Sequence, residues 1–422
     1  MKIRLWIKKS IPSIKLIICL IIYLSAIESS IVHASQASFH PKLAKMKSFS
    51  IQTTGNAIRF GKSKRYQTHG ISVVILKGEP YEIGYARGVL LKDEIYEWVE
   101  NLLQIIKQKP LNISPDENFL KKRAKKIQEF IPREYKEELQ GLSAGSGMDY
   151  EVLMFLNVLE AISIDFACTS VVVRDLGGSL LRSRNLDLHE ESTLPAILYF
   201  YKPKNGHGFV SISHQPGFLG TKTAFNENGL SIGGHAIYRT SKEYTEAEPE
   251  HMLRRRVAQY ANSMEEAGQI LNKAFRGDSK MWLVADSKTA GIYEFSQKEI
   301  AFKKMVNDYL ILTNHTRLLD IGGMSKSSFD RYNEAKTFLL QNCKKMNIKK
   351  LIDLNRGNEI CFTKYPKIKN LHSAIFKADT LDFWVAIDVP PATRGEWVGF
   401  NLHKELYGSG NDPEPLIVPA LE

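Results

Sequence analysis

The feature that most constrains the fold of this chain is a change of pattern at Cys168. From this residue on, short apolar runs separated by Gly- or Asn-containing turns predict successive β-strands, at 169–173, 180–181, 197–201 and 209–212. Two helical segments and four further strands follow, at 251–274, 281–285, 292–295, 327–342, 372–376 and 383–387. Strand groups that alternate with helix groups favour an α+β fold in which helices cover two sheets.

The part of the chain before Cys168 is predicted to be mainly helical. A polar stretch, 35–69, leads to one strand, 71–76, and apolar residues at helical spacing then predict helices over 91–105, 116–130, 132–142 and 149–164.

The first 34 residues are typical of a secretory signal peptide. Lysines precede an apolar run, 16–27, and Val32-His33-Ala34 forms a small-residue cleavage pattern before Ser35. The run is short for a membrane span, which takes roughly 20 apolar residues. We therefore predict a secreted or periplasmic protein, with a retained signal anchor as the alternative.

Charge and motif patterns exclude several function classes. Lys and Arg number 57 against 46 Asp and Glu, a net charge of +11, and the excess is spread along the chain. The densest basic clusters, 121–126 and 254–256, have helical periodicity and predict solvated helix faces rather than a nucleic-acid surface. HExxH, CxxC, Rossmann-glycine and P-loop patterns do not occur, so neither a metal nor a cofactor is predicted.

Removal of the signal peptide leaves three cysteines, Cys168, Cys343 and Cys361. An odd number outside the cytosol leaves one thiol over. Cys343 and Cys361 could form a disulfide, and Cys168 would then be the unpaired and reactive one.

Cys168 starts a predicted hairpin whose second strand carries Arg184 and Asp187. In a hairpin these side chains return beside the cysteine. A thiolate is the useful nucleophile, and a neighbouring guanidinium lowers the thiol pKa from about 8.5. A carboxylate can orient a proton donor. The alternative is a buried structural cysteine with Arg and Asp on the surface.

The sequence Cys168-Thr-Ser, followed by Arg184-Asn-Leu-Asp187, resembles that of the cysteine N-terminal-nucleophile hydrolases. Four further segments, in the same order, are similar to the isopenicillin N acyltransferase family: 78–88, 225–230, 313–315 and 328–332. Bile-salt hydrolases, penicillin V acylases and acid amidases resemble the chain more distantly. This resemblance implies a four-layer αββα fold with a helical N-terminal α segment, and no cofactor.

The resemblance also implies that the precursor cleaves itself between Ala167 and Cys168. An α segment, 35–167, would then stay associated with a β segment, 168–422, that carries the αββα domain. The new α-amino group has an ordinary pKa of about 7.7 to 8.0 and can accept the proton of its own thiol.

Four other roles follow from the resemblance. Arg184 would hold the thiolate, Asp187 would hydrogen-bond the α-amino group, Asn314 would donate to the tetrahedral oxyanion, and Arg331 would support the site from a helix. Asn314 could instead bond backbone as a loop residue, or accept a glycan in the sequon that ends at Thr316. Arg331 could instead form a surface salt bridge.

One segment, 232–238, departs from the family pattern. Relatives often supply an Asn there as a second oxyanion donor, and this chain has His235 after two glycines. A backbone N–H or the His235 ring could substitute, or His235 could be structural.

The sequence thus predicts an exported, self-processing amidohydrolase or acyltransferase that handles small N-acyl amides or acyl lipids through a Cys168 thioester. The alternative is a non-catalytic envelope binding protein that keeps the fold without self-cleavage. No nucleic-acid partner is predicted.

Overall fold

A computed structural model of the chain describes residues 41–108, 125–162, 167–188, 194–238, 246–361, 368–387, 389–408 and 417–420. The predicted signal peptide and most of the helix predicted at 116–130 lie outside these ranges. Within them, no helix combines the length and apolar character that a membrane crossing needs.

Eighteen strands in the described ranges form two sheets. They are β1 (Ile51–Thr54), β2 (Ala57–Phe60), β3 (Ser63–Thr68), β4 (Ile71–Gly78), β5 (Ala167–Arg174), β6 (Leu180–Leu188), β7 (Ile197–Pro203), β8 (Phe209–Ser213), β9 (Thr223–Asn226), β10 (Ser231–His235), β11 (Lys280–Ala285), β12 (Ala290–Phe295), β13 (Ile300–Lys304), β14 (Tyr309–Leu312), β15 (Lys369–Lys377), β16 (Asp382–Ala386), β17 (Trp397–Asn401) and β18 (Ile417–Val418). The large sheet has the order β1-β2-β3-β4-β7-β8-β9-β10-β11-β12-β13, and the small sheet β14-β5-β6-β15-β16-β17-β18. Neighbours pair antiparallel except β4 and β7, which are parallel.

The helices lie outside the two sheets. They are α1 (Leu43–Lys47), α2 (Pro80–Leu90), α3 (Lys92–Gln108), α4 (Arg133–Ser146), α5 (Tyr150–Ile162), α6 (Glu250–Tyr260), α7 (Met264–Lys273), α8 (Lys326–Asn342), α9 (Ile348–Asn355) and α10 (Leu402–Tyr407). One core joins the large sheet to helices α2 to α7, and another joins the small sheet to α8 and α9.

Between the sheets lies a third apolar layer, in which Phe200 and Phe225 of the large sheet meet Phe376 and Phe383 of the small one. Helices, two sheets and helices therefore stack in the order αββα. The predicted α+β class and the four-layer arrangement are confirmed.

The segment before Cys168 is less purely helical than predicted. Residues 51–68, expected to be an irregular polar stretch, form three strands, and with β4 this segment contributes four strands to the large sheet. The mistake has a physical reason: β1 is exposed along its whole length and β3 is largely polar, so the apolar alternation of a half-buried strand is missing. The segment is thus built into the αββα layers.

Three smaller predictions are also corrected. The helix predicted at 251–274 is two helices, because Ser263 caps the second by accepting a hydrogen bond from the Glu266 backbone N–H. Arg254 and Arg255, predicted on a solvated face, are buried. No disulfide joins Cys343 to Cys361, and the Cys361 sulfur lies 3.9 Å from the Asn358 carbonyl oxygen.

Candidate active site

The hairpin of β5 and β6 places Cys168 at one end of the space between the sheets. Its antiparallel register sets Ala167 opposite Asp187, Cys168 opposite Leu186 and Ser170 opposite Arg184. Both strands are buried almost throughout, because β-branched residues of β5 and leucines of β6 fill the layers on either side. Arg184 therefore projects between the sheets toward Thr223, while Asn185 projects to the opposite face of β6 and donates to the Asn355 carbonyl of α9. Water is largely excluded on both faces.

Arg184 faces the cysteine. Its Nη2 atom donates to Cys168 Sγ at 3.3 Å and to the Gly234 carbonyl at 2.7 Å, while its Nε donates to Thr223 Oγ1 at 2.9 Å. Burial raises the pKa of the Cys168 thiol, and the nearby positive charges of Arg184 and Arg331 oppose that rise. The guanidinium is thus placed to favour the thiolate.

Two glycines of β10 allow this approach. A Cβ atom on Gly233 would lie 2.7 Å from Arg184 Cδ and 2.5 Å from Arg182 Nη2. One on Gly234 would lie 2.8 Å from Arg254 Nη1. The Gly-Gly pair before His235 therefore serves close packing of arginines against the strand backbone.

Asp187 is the buried carboxylate of the site. Its Oδ1 accepts a hydrogen bond of 3.0 Å from the Asn370 amide, while Oδ2 has no partner among the described residues. Burial raises the Asp187 pKa to about 7, against the opposing charge of Arg331 and the Asn370 bond. A buried oxygen with unused acceptor capacity calls for a donor, and none of the described residues provides one.

Asn314 and Arg331 hold the backbone of the cysteine. Asn314 Oδ1 accepts from the Cys168 N–H at 2.9 Å and from Arg331 Nη2 at 2.7 Å, and its Nδ2 donates to the Ala236 carbonyl at 2.9 Å. Arg331, on α8, also donates to the Cys168 carbonyl and to Thr169 Oγ1. Asn314 is buried, which argues against the glycosylation alternative, and Arg331 is not a surface residue.

His235 contacts Ser170, two residues after Cys168, rather than the Cys168 sulfur. Its Nε2 lies 2.8 Å from Ser170 Oγ. Burial and the charges of Arg184 and Arg182 lower the His235 pKa well below its ordinary value, so that the ring is neutral. The predicted oxyanion role of His235 stays a prediction.

The motif at 225–230 proves to be architectural. Asn226 donates through Nδ2 to the Ala258 and Ala261 carbonyls, and its Oδ1 accepts from the Leu230 backbone N–H. These bonds tie the β9–β10 turn to the end of α6.

The segment 78–88 also serves packing. Gly84 and Gly88 let α2 approach α4, because Cβ atoms there would lie within 2.5 Å of α4 carbonyl oxygens.

Sequence reasoning missed three residues that touch the site: Thr223, Asn370 and His372. Each is a buried polar residue in a strand that mixes polar and apolar residues. Such a pattern does not distinguish a buried polar residue from an exposed one, so no signal in the sequence would have found them.

A cavity of about 520 Å³ is lined by residues of both sheets and of adjoining loops, and Cys168 is not part of the lining. Its walls are mainly apolar, and Leu371 both lines it and packs in one cluster with Cys168 and Leu188. In the described part of the chain no cluster of His, Cys, Asp and Glu is suited to hold a metal ion.

The family model of acyl-coenzyme A:6-aminopenicillanic acid acyl-transferase matches residues 176–391 of the chain, just over half of its length. The match includes Arg184, Asp187, Asn314 and Arg331 and begins after Cys168.

Among individual proteins, an uncharacterized protein of Archaeoglobus fulgidus is 27% identical over 251 residues, covering 52% of this chain and 42% of that protein. The acyl-coenzyme A:6-aminopenicillanic-acid-acyltransferase 40 kDa form of Emericella nidulans is 24% identical over 254 residues, covering 58% of this chain and 69% of that protein. The chain thus spans less than half of the archaeal relative.

In the solved structures, a mutant conjugated bile acid hydrolase from Clostridium perfringens aligns with a TM-score of 0.44 and 11% identity, covering 59% of this chain and 96% of that one. The extent of the family match is what assigns the chain: it belongs to the acyl-coenzyme A:6-aminopenicillanic acid acyl-transferase family.

Proposed function

We propose that the protein is an exported, self-processing cysteine amidohydrolase or acyltransferase that acts on N-acyl amides through a thioester on Cys168. The observation that carries the proposal is the contact of 3.3 Å between Arg184 Nη2 and Cys168 Sγ, beside a carboxylate, Asp187, with an unpartnered oxygen among the described residues. Membership of an acyltransferase family supports acyl chemistry at this site.

Self-cleavage accounts for the unused oxygen of Asp187. Hydrolysis of the bond between Ala167 and Cys168 consumes one water and leaves a carboxylate on Ala167 and an α-amino group on Cys168. Because Ala167 pairs with Asp187, the amino group would form beside that carboxylate. An α-ammonium group brings N–H donors and a positive charge, which would stabilise the ionised form of Asp187.

The released amino group supplies the base for acylation. It takes the thiol proton, and Cys168 Sγ attacks the acyl carbonyl while Arg184 stabilises the sulfur anion. Asn314, held beside the Cys168 backbone, donates to the oxyanion, an interaction worth about 2.7–4 kcal/mol for comparable donors. The C–N bond breaks, the leaving amine takes the proton, and the acyl group remains on sulfur.

Water or a second amine then attacks the thioester, the acyl group leaves as an acid or a new amide, and the thiol is restored. Coenzyme A is scarce outside the cytosol, so hydrolysis of N-acyl amides or acyl lipids fits export better than transfer from an acyl-CoA. The mainly apolar cavity beside Leu371 supports an acyl chain as the recognised group.

The two segments would stay associated after cleavage. Strand β4, in the α segment, pairs in parallel with β7 of the β segment along seven residue pairs. Glu138 of α4 forms a buried ion pair with Arg255 of α6 across the same division. Separation of the two segments would expose to water both the backbone hydrogen bonds between β4 and β7 and the ion pair of Glu138 with Arg255.

A non-catalytic binding protein is the second candidate. It is favoured by the complete burial of Cys168 and by the raised pKa of its thiol, as in a structural cysteine. It predicts a chain that stays uncut and a Cys168 thiol that reacts slowly.

Intact-mass analysis of the purified protein separates the two candidates. We expect two fragments with a break between Ala167 and Cys168, and turnover of N-acyl amides by the processed form. A Cys168→Ala variant should stay uncut and inactive, while Cys343→Ala, the matched control, should be processed as the parent is. A single uncut chain in all three proteins would support the binding protein.

A further inference from the structure

Behind Arg184, on the side away from the cysteine, a line of hydrogen bonds crosses from the large sheet to the small one. Thr223 Oγ1, which accepts from Arg184 Nε, lies 2.9 Å from His372 Nε2. His372 Nδ1 lies 3.0 Å from His214 Nε2, and His214 Nδ1 lies 3.1 Å from the Leu194 carbonyl oxygen. All four side chains are buried.

Neutral imidazole rings give this line a single arrangement of protons. The Leu194 carbonyl can only accept, so His214 Nδ1 carries the hydrogen and its Nε2 accepts. His372 must then donate through Nδ1 and accept through Nε2, which leaves the Thr223 hydroxyl to donate to His372. The Thr223 oxygen in turn has its lone pairs directed to Arg184 Nε. Burial, which lowers the pKa of both rings, keeps them neutral.

Arg184 depends on this support because, among the described residues, no carboxylate forms a hydrogen bond with its guanidinium. Its hydrogen bonds go to Thr223, to the Gly234 carbonyl and to Cys168 Sγ, and Nη1 has no partner among the described residues. Rotation about the last side-chain bonds would carry Nη2 away from the sulfur. The acceptor at Nε, Thr223 Oγ1 on β9 of the large sheet, opposes this rotation together with the Gly234 carbonyl at Nη2.

We propose that Thr223 and His372, with His214 behind them, are positioning residues that orient the Arg184 guanidinium toward Cys168 Sγ. The proposal rests on the proposed function, since it concerns the same nucleophile. Along the line each residue donates to the next, from Arg184 to the Leu194 carbonyl, and of these residues only Arg184 contacts the Cys168 sulfur. The other members therefore act on the sulfur through Arg184. Because hydrogen bonds in series polarise one another in a buried site, loss of an inner member weakens the whole line.

Other charges also act on the thiol, and they set the background of the test. Arg184 and Asp187 approach Cys168 from β6, Arg331 from α8 and Arg254 from α6. None of these side chains accepts or donates a hydrogen bond to Thr223 apart from Arg184. Of the four charged side chains that act on the thiol pKa, substitution at Thr223 therefore directly affects only Arg184.

The test uses three variants of the full-length chain. Thr223→Val keeps the shape and removes the hydroxyl, and Thr223→Ser keeps the hydroxyl. Thr221→Val is the matched control, because Thr221 is a buried neighbour whose hydroxyl bonds Ser211 Oγ and the Thr223 carbonyl, away from Arg184. The thiol pKa is read by NMR titration of protein labelled with ¹³Cβ-cysteine, with the Cys168 signal assigned by its absence from Cys168→Ala.

We expect Thr223→Val to raise the midpoint of the Cys168 titration by about one pH unit, in the range of an arginine neighbour's influence. Thr223→Ser and Thr221→Val should titrate as the parent does, and His372→Gln, which can still donate and accept, should fall between. Equal midpoints for Thr223→Val and the parent would overturn the proposal. So would equal shifts in Thr223→Val and Thr221→Val, since these would report general loosening.

Failure of the proposed function would look different. It would appear in the parent chain as an absent cleavage and absent turnover, whereas the Cys168 titration can be followed in a cut or an uncut chain. If the parent is processed and active, but Thr223→Val leaves the midpoint of the Cys168 titration unchanged, only the positioning role is overturned. An uncut parent whose titration responds to Thr223→Val would overturn only the proposed function.

Discussion

Two buried arginines, Arg255 and Arg182, show how differently this fold treats the same side chain. Arg255 lies between the helices and the large sheet, with Nη1 and Nη2 on the two Glu138 carboxylate oxygens, 3.0 and 2.5 Å away. Its guanidinium also lies over the rings of Tyr135 and Tyr201. Burial lowers the Arg255 pKa, but the charge and hydrogen bond of Glu138, together with Tyr201 and Tyr135, more than offset burial and raise the pKa overall.

Arg182 lies between the sheets, two residues from Arg184, and none of its three nitrogens has a hydrogen-bond partner among the described residues. Burial and the charge of Arg184 lower its pKa well below the ordinary value. Asp187 Oδ2 is unpartnered in the same region of the described structure. The difference is one of counter-charge: the buried arginine between the helices and the large sheet has a carboxylate partner, while Arg182, near the nucleophile, has none within hydrogen-bonding distance among the described residues.

The largest effect is expected from breaking the completed pair. Glu138→Gln leaves the Arg255 charge buried without its counter-charge, which should cost about 3–5 kcal/mol of the free energy of unfolding. Denaturant titration of the uncut Cys168→Ala background measures this. The double variant Glu138→Leu with Arg255→Met should recover most of the loss, because no charge remains buried. A loss below about 1 kcal/mol for Glu138→Gln would mean that Glu138 does not supply the counter-charge that we describe.

Asp187→Asn should separate stability from activity. The folded-state pKa of Asp187, about 7, lies above its unfolded value of about 3.9, so its ionisation reduces stability as the pH rises between these values. Asn cannot ionise, so in the uncut Cys168→Ala background the variant should be the more stable one at about pH 8. In the processed enzyme, loss of the carboxylate beside the α-amino group should reduce kcat/KM by about 100-fold. A variant that is both less stable and fully active would contradict both expectations.

Arg182→Met should stabilise the protein. The substitution replaces an unpartnered buried guanidinium by an apolar chain of similar length, and relief of such a group is worth about 1–3 kcal/mol. Thermal or denaturant unfolding measures the gain, and the Cys168 titration should keep the midpoint of the parent. A destabilised variant would show that the guanidinium binds water or an anion between the sheets, and the contrast with Arg255 would then disappear.

The sequence predicts those parts of the fold and of the site in which contacting residues lie close together along the chain. The hairpin of β5 and β6 is local, so the apolar runs around Cys168 and the turn at 175–179 are enough to return Arg184 and Asp187 to the cysteine. The strand predicted at 71–76, which the structure extends to Gly78, was found for the same reason, since four of its residues in succession are β-branched or leucine. The α+β layering followed from the alternation of strand and helix groups.

Long-range partners leave no such local signal. Thr223 meets His372 across 149 positions, and Asn314 meets Cys168 across 146. Asn314 was found only through the family resemblance, and His372 was missed because the mixed polar and apolar residues of its strand, Lys369–Lys377, do not show that it is buried. The solvated face predicted for 254–256 failed likewise, since Glu138, the partner of Arg255, is 117 positions away.

The smallest effect we expect concerns His214, whose pKa burial lowers to about 4. The unfolded chain takes up a proton near pH 6.5 and the folded one only below that, so stability present above pH 6.5 is lost as the pH falls. Between about pH 7.5 and 5.5 this group should account for about 1 kcal/mol. Unfolding of His214→Gln should show a shallower acid slope than the parent, and His403→Gln, at an exposed site on α10, is the control. Equal slopes in His214→Gln and the parent would mean that His214 has the same pKa in the folded and the unfolded chain. The folded ring would then be protonated below about pH 6.5, and a protonated ring could not accept from His372.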